Sequence, residues 1–77
     1  MPRVFDLPFM GQEVNLNIYN LRGQRIKSLL QERLAPGTYT IKWNGSDDAG
    51  KAVASGIYVS CLQVGDLATA RKLMVVK

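Results

Sequence analysis

The sequence predicts an all-β fold, an antiparallel sandwich of short strands, from two observations. Apolar residues alternate with polar ones over several segments, which is the period of strands that bury one face. Turn-forming Gly, Pro, Asn and Asp residues separate these segments, at residues 8–11, 20–23, 35–37, 44–50, 55–56 and 65–66. Several short strands at close spacing are typical of a sandwich. The chain has 77 residues, enough for one small domain, which we expect to span residues 1–77.

Three segments carry the alternation most clearly. The residues that share one face in each segment are Val14, Leu16 and Ile18, then Tyr39, Ile41 and Trp43, and then Tyr58, Ser60, Leu62 and Val64. One interpretation of Tyr39, Trp43 and Tyr58 is a stacking platform for a sugar. Aromatic residues on alternating strands more often fill the space between two sheets, so we expect these three in the core.

The segment Arg25–Leu34 has a different spacing. Its apolar residues lie three, one and four positions apart, which is typical of a helical stripe, and they are Ile26, Leu29, Leu30 and Leu34. The turn at residues 20–23 follows a clear strand, however, and favours a hairpin. We therefore predict a strand, although periodicity alone would give a helix.

The residue types that the chain lacks exclude several kinds of active site. There is no histidine, and Cys61 is the only cysteine, so an intrachain disulfide and a cysteine-built zinc or iron–sulfur site are excluded. We expect no catalytic activity, no metal and no cofactor. The longest apolar run, residues 73–76, is far shorter than the ~20 residues of a membrane-spanning helix, so we expect no membrane insertion. The net charge of +4 is spread evenly, which predicts a mildly basic surface and no nucleic-acid site.

The most polar stretch, residues 44–50, resembles the start of a calcium loop. Asn44, Ser46 and Asp48 occupy alternate positions, as the first ligands would, but the glycine and the acidic residue expected further along are missing. A structural turn is the favoured interpretation, in which side chains bond their own backbone and glycines supply positive φ, at Asn44, Gly45, Asp47 and Gly50. The adjacent acids Asp47 and Asp48 are expected to diverge rather than to form a catalytic pair.

Short motifs then follow in a fixed order along nearly the whole chain. They are Val14-x-Leu16-x-Ile18-Tyr19-Asn20-x-x-Gly23-Gln24, Pro36-Gly37-x-Tyr39, Trp43-Asn44-Gly45-x-Asp47-x-x-Gly50, Val53-Ala54-Ser55-Gly56-Ile57-Tyr58-x-x-x-Leu62 and Arg71-Lys72-Leu73-Met74-Val75-Val76-Lys77. This string resembles the immunoglobulin-like domain family named after the flagellar hook-capping protein. It equally resembles the related C-terminal sorting domains of the type IX secretion system. A Pro-Asn-Pro-type segment before the first strand is missing, so we expect a truncated N-terminal edge.

The resemblance implies an immunoglobulin-like (fibronectin III-like) sandwich of about seven short strands without catalytic activity. Sorting domains are appended to exported bacterial proteins and are recognised by outer-membrane machinery. Their recognition features map onto Pro36, Gly37, Tyr39, Gly56, Tyr58, Leu62, Lys72 and Lys77. The main prediction is therefore a C-terminal secretion and sorting module with protein partners. Its expected location is extracellular or on the cell surface, after export through the periplasm of a Gram-negative-type bacterium.

Two other functions stay open. The first is a structural spacer or assembly domain of the hook-capping type, which would bind neighbouring domains. The second, less favoured, is a carbohydrate-binding sandwich. Open strand edges suit protein partners in general, and they also offer a route to a homodimer.

Overall fold

Six antiparallel β-strands form the part of the chain that the computed structural model describes, residues 2–7 and 12–76. In chain order they are β1 (Pro2–Leu7), β2 (Gln12–Tyr19), β3 (Arg25–Leu34), β4 (Gly37–Lys42), β5 (Gly56–Val64) and β6 (Leu67–Val75). The all-β prediction is confirmed. The resemblance implies about seven strands, and the described residues form six; between β4 and β5 these residues form only the isolated bridge Ser46–Ala52. The predicted turn at residues 8–11 lies outside the described residues.

The strands form one sheet of two and one sheet of four. The smaller sheet pairs β1 with β4, and the larger sheet has the order β3-β2-β5-β6. Two hairpins, β2–β3 and β5–β6, build the larger sheet, and the pairing of β2 with β5 joins them. In the β5–β6 turn, Gly65 has a φ of 56° at the first of two central positions, where a type II′ turn favours glycine.

Strand β3 explains the helix-like spacing of its apolar residues. Its pairing with β2 shifts register twice, between Leu16 and Asn17 and again between Ile18 and Tyr19. Each shift leaves one residue of β3, first Leu29 and then Ile26, without a partner on β2. Each bulge adds one residue to β3, so the residues beyond the bulge face the side opposite to the one that strict alternation would give them. Two bulges three residues apart therefore give a strand the apolar spacing of a helix, and the strand prediction is confirmed.

The two sheets pack face to face through side chains that alternate inward. On β2, Val14, Leu16 and Ile18 are at most 1% exposed. The buried residues form two clusters, the first of Phe5, Val14, Leu16 and Leu62, and the second of Ile18, Trp43, Val53 and Tyr58. Tyr39 is half-buried against the first cluster, so the three aromatic residues contribute to the core, as predicted.

The described ranges, 2–7 and 12–76, hold no helix with the length and apolarity that crossing a lipid bilayer requires.

Truncation of Leu16 should destabilise the protein strongly. Leu16→Ala removes a fully buried side chain from the centre of β2, so we expect the free energy of unfolding to fall by about 2–5 kcal/mol in urea titrations. The matched control is Leu67→Ala, because Leu67 is 77% exposed and its loss should change stability by less than ~0.5 kcal/mol. Equal effects of the two changes would contradict the position of β2 in the core.

Candidate interaction surfaces

Two tyrosine hydroxyls close the turns that precede β4 and β5. Tyr39 Oη donates to the carbonyl oxygen of Ala35 at 2.6 Å, and Tyr58 Oη donates to that of Ala54 at 2.7 Å. Each tyrosine thus bonds the backbone four residues upstream, which is the arrangement of a tyrosine corner. The arrangement satisfies a polar hydroxyl at the end of a buried ring while it fixes the path into the next strand.

The same short pattern encodes both corners. An alanine is followed two residues later by a glycine and two residues after that by a tyrosine, at 35–39 and again at 54–58. This repeat is the sequence signal that could have predicted the corners. It gives Gly37, Tyr39, Gly56 and Tyr58 a structural role, beside the recognition role that the resemblance implies for them.

The predicted recognition residues do not form one surface. The side chains of Tyr58 and Leu62 are 8% and 6% exposed, so they are part of the core. Pro36 and Gly37 are exposed in the turn before β4, and Lys72 is exposed on β6. Lys77 lies outside the described residues. Direct contact by a partner is therefore confined to the exposed members of the set, which lie on separate elements.

The aromatic residues also divide into two separate contacts. The Phe5 and Tyr39 rings are stacked, with centroids 5.5 Å apart, and the Trp43 and Tyr58 rings meet edge to face at 5.5 Å. Trp43 is 4% exposed, and its Nε1 donates to the carbonyl oxygen of Ser46 at 2.8 Å. These rings therefore do not present a common exposed platform on which a sugar could stack.

The polar loop at residues 44–50 bonds largely to itself. Asn44 Oδ1 accepts hydrogen bonds from the amide and the hydroxyl of Ser46, at 3.1 and 2.6 Å. Asp47 Oδ1 accepts from the amides of Ala49 and Lys51, at 3.0 and 2.9 Å. Gly50 has a φ of 84°, which closes the turn. These oxygen atoms thus act as turn-forming acceptors, the role predicted for Asn44 and Asp47.

Asp48 points away from Asp47 and holds the loop against β3. Its amide donates to the carbonyl oxygen of Ile26 at 3.0 Å, and its Oδ1 accepts from the amide of Ser28 at 3.0 Å. Its Oδ2 lies 3.7 Å from Arg25 Nε, a half-exposed pair that contributes little to stability. Across residues 2–7 and 12–76, no three His, Cys, Asp or Glu side chains come together as a ligand set.

Strand β6 is both an edge strand and part of the core. Leu73 and Val75 pack against the second cluster, whereas Lys72 and Met74 are exposed. Replacement of the whole end of the chain would therefore remove core side chains and unfold the domain whatever its function. Only the exposed residues of β6 can be changed to test recognition separately from folding.

The outer face of the larger sheet, turned away from the smaller sheet, is apolar along β5 and β6. Cross-strand pairs on this face are Ile57 with Met74, Val59 with Lys72, Cys61 with Ala70, and Gln63 with Ala68. Ile57 is 41% exposed and Met74 is 59% exposed, while Cys61 is half-buried. We call this row of residues the β5–β6 outer face. Half of its side chains are small and Lys72 is the one charged residue in the row, and a scarcity of charge is typical of the centre of a protein interface.

Arg3 is a buried charge that sequence analysis missed. It is 6% exposed, and its Nη1 and Nη2 donate to Ser60 Oγ at 2.9 Å and to Thr69 Oγ1 at 3.0 Å. Its Nε is buried and has no hydrogen-bond partner among the described residues. Burial lowers the pKa of Arg3, and the nearby charge of Arg71 lowers it further. The sequence did contain a signal of this burial, because Arg3 lies on the same face of β1 as the core residue Phe5.

Comparison with protein-family models identifies the family to which this chain belongs. The family model of the FlgD Ig-like domain, the flagellar hook-capping type, matches residues 4–63, well over half of the chain. The chain belongs to the FlgD Ig-like domain family. The matched segment begins in β1 and ends within β5, so β6 lies beyond it. No curated protein and no solved structure gave a significant match.

Membership of the FlgD Ig-like family confirms one of the two resemblances seen in the sequence. This family is a structural, non-enzymatic one, which supports the expectation of a domain without catalytic activity. The comparisons give no support to the type IX sorting domain. That finer assignment stays a prediction from the sequence.

The loop of this FlgD Ig-like domain should depend on the acceptor atom of Asp47 rather than on its charge. Asp47→Ala leaves two backbone amides without their acceptor, and we expect it to lower the free energy of unfolding by about 1 kcal/mol. Asp47→Asn keeps an oxygen acceptor and should cost less. Thermal unfolding of the two variants with and without millimolar Ca²⁺ checks this. A large stabilisation of the unmodified protein by Ca²⁺ would contradict the structural-turn interpretation.

Proposed function

We propose that the chain is a non-catalytic structural Ig-like domain that binds neighbouring protein domains through its β5–β6 outer face. Membership of the FlgD Ig-like family supports an assembly role. The observation that carries the proposal is the outer face itself, because one sheet of a two-layer sandwich has an apolar side that the domain does not cover.

The chemistry of this face favours a protein partner. Ala68 and Ala70 leave the backbone of β6 accessible, and Ile57 and Met74 provide larger apolar contacts at one end. Lys72 is the charged residue within the row, so apolar packing dominates. The two alanines also allow a flat partner surface to approach closely, as two packed sheets do.

The proposed location is outside the cytoplasm, in an exported assembly. Hook-capping domains of this family belong to flagellar proteins, which are exported. With a single cysteine the chain cannot form an internal disulfide, so contacts with neighbouring domains would add to its stability, and this suits a component of a larger assembly.

A charge placed on the outer face should disrupt assembly without unfolding the domain. Ala70→Arg puts a cation at the centre of the row, and we expect the full protein that carries the domain to stop co-sedimenting with its assembly. Because Ala70 is exposed, the free energy of unfolding should change by less than ~0.5 kcal/mol. The matched control is Ala49→Arg, which adds the same charge at an exposed position in the loop. Equal co-sedimentation of both variants would refute docking on this face.

A second experiment separates an assembly domain from a sorting module. The chain is fused to the C-terminus of a periplasm-targeted fluorescent protein in a bacterium with type IX secretion, beside the same protein without the chain. An assembly domain leaves both proteins in the periplasm, because it carries no export signal. Release of the fusion alone into the medium would overturn the proposal in favour of sorting, and the exposed Lys72 would then be the first residue to replace.

A further inference from the structure

The cavity between the two sheets is lined by three positively charged residues, Arg3, Arg71 and Lys72, and by no negatively charged one. It has a volume of about 110 Å³, and both Arg3 and Arg71 line it. Arg71 is paired with Ser60 across the β5–β6 hairpin, so it extends from the same face of the sheet that Arg3 contacts. Among the described residues, no carboxylate lies within ion-pair distance of either arginine.

Arg3 is unusual because its buried charge has only neutral partners. The two acceptors of its guanidinium are hydroxyl oxygens, and its buried Nε has none. A buried cation is costly unless an anion compensates it, and an unmet donor adds to that cost. The walls of the cavity include the apolar side chains of Leu16, Ile18 and Leu73, which would strengthen any ionic contact made there.

The size of the cavity restricts the ligand. A cavity of about 150 Å³ accepts benzene, and this one is smaller. Its size therefore suits the end of an aspartate or glutamate side chain. A carboxylate also matches the planar donor set of a guanidinium, which binds both oxygens side by side.

The smaller sheet leaves a strand edge open beside the cavity. Arg3 of β1 bonds to β5 and β6, whereas Lys42 at the end of β4 shares a groove with Lys27 and Leu29 of β3. Strand β1 therefore covers the β6 side of the larger sheet, and the edge of β1 that does not pair with β4 faces outward on that side. On β6, Leu67 lies on the face that is turned toward the smaller sheet, and its side chain is 77% exposed.

We propose that this edge of β1 binds an extended segment of a partner protein, and that an aspartate or glutamate of the segment enters the cavity and pairs with Arg3 and Arg71. The segment would add a third strand to the smaller sheet by backbone hydrogen bonds and would cover the inner face of β6. Its carboxylate would pair with the guanidinium groups of Arg3 and Arg71, the two arginines that line the cavity.

Charge favours a different protein over a second copy of this chain. The net charge of +4 opposes self-association and favours an acidic partner. The inference goes beyond the proposed function, since it uses the opposite side of β6 and holds whether or not the outer face binds a neighbouring domain.

Titration of the 77-residue chain with a synthetic strand tests the proposal. The probe is a short peptide of alternating Thr and Val with one central Asp, and the matched peptide carries Asn instead. Binding is followed by the NMR shift of the Arg3 Nε–H group and by slower hydrogen exchange of β1 amides. We expect the Asp peptide to shift both signals, and the Asn peptide to bind at least tenfold more weakly, the loss typical of a charge-assisted hydrogen bond.

Two variants with the same loss of charge separate a defined site from general attraction. Arg71→Gln removes the exposed arginine of the cavity, and Arg22→Gln removes an exposed arginine in the β2–β3 turn. We expect at least a tenfold loss of affinity for the Asp peptide from Arg71→Gln and little change from Arg22→Gln. Equal losses, equal binding of the two peptides, or no binding of either would overturn the proposal.

So would a shift of Arg3 Nε–H that follows protein concentration without peptide, because a second copy would then be the occupant. Ala70→Arg leaves the cavity unchanged, so failure of outer-face docking would not affect this titration.

Discussion

The burial of one face of β2 is the constraint on which the rest of the structure depends. β2 lies between β3 and β5, and its three inward side chains are sealed from solvent. Val14 and Leu16 belong to the first cluster of the core and Ile18 to the second, so this strand connects both. Full burial of such a side chain contributes about 1.5–3 kcal/mol. The net stability of a small domain is only about 5–15 kcal/mol, so the loss of one such side chain removes a sizeable part of that margin.

The two sheets that enclose this core differ in width, and this difference determines which surfaces are exposed to solvent. Two strands cannot cover four, so β1 and β4 cover the clusters and leave part of the inner face of β6 in solvent. That exposure, together with the unpaired edge of β1, gives the domain a side on which further strands can add. On the opposite side of the larger sheet, the β5–β6 outer face is largely apolar, and no described strand packs against it. Both surfaces support the proposal that the domain binds other proteins.

The structure explains the residue type at several motif positions. The two tyrosine corners use a glycine and a hydroxyl to turn the chain into β4 and β5, and Asp47 supplies the acceptors that the loop needs. Asp48 ties that loop to β3. Because these polar groups are satisfied within the domain, the contacts available to a partner lie mostly on strand faces and edges.

The sequence by itself determined most of the strands, most of the turns and the aromatic core, since alternation and turn chemistry are local properties of the chain. It also indicated how residues 44–50 would satisfy their own polar groups. The bulges of β3 could not be predicted, because they exist only relative to the register of β2, and they made a strand resemble a helix. The burial of Arg3 was decided by Ser60 and Thr69, which are 57 and 66 residues away along the chain. Which edges and faces stay open was likewise decided by tertiary structure, because it depends on how two sheets of different width are superimposed.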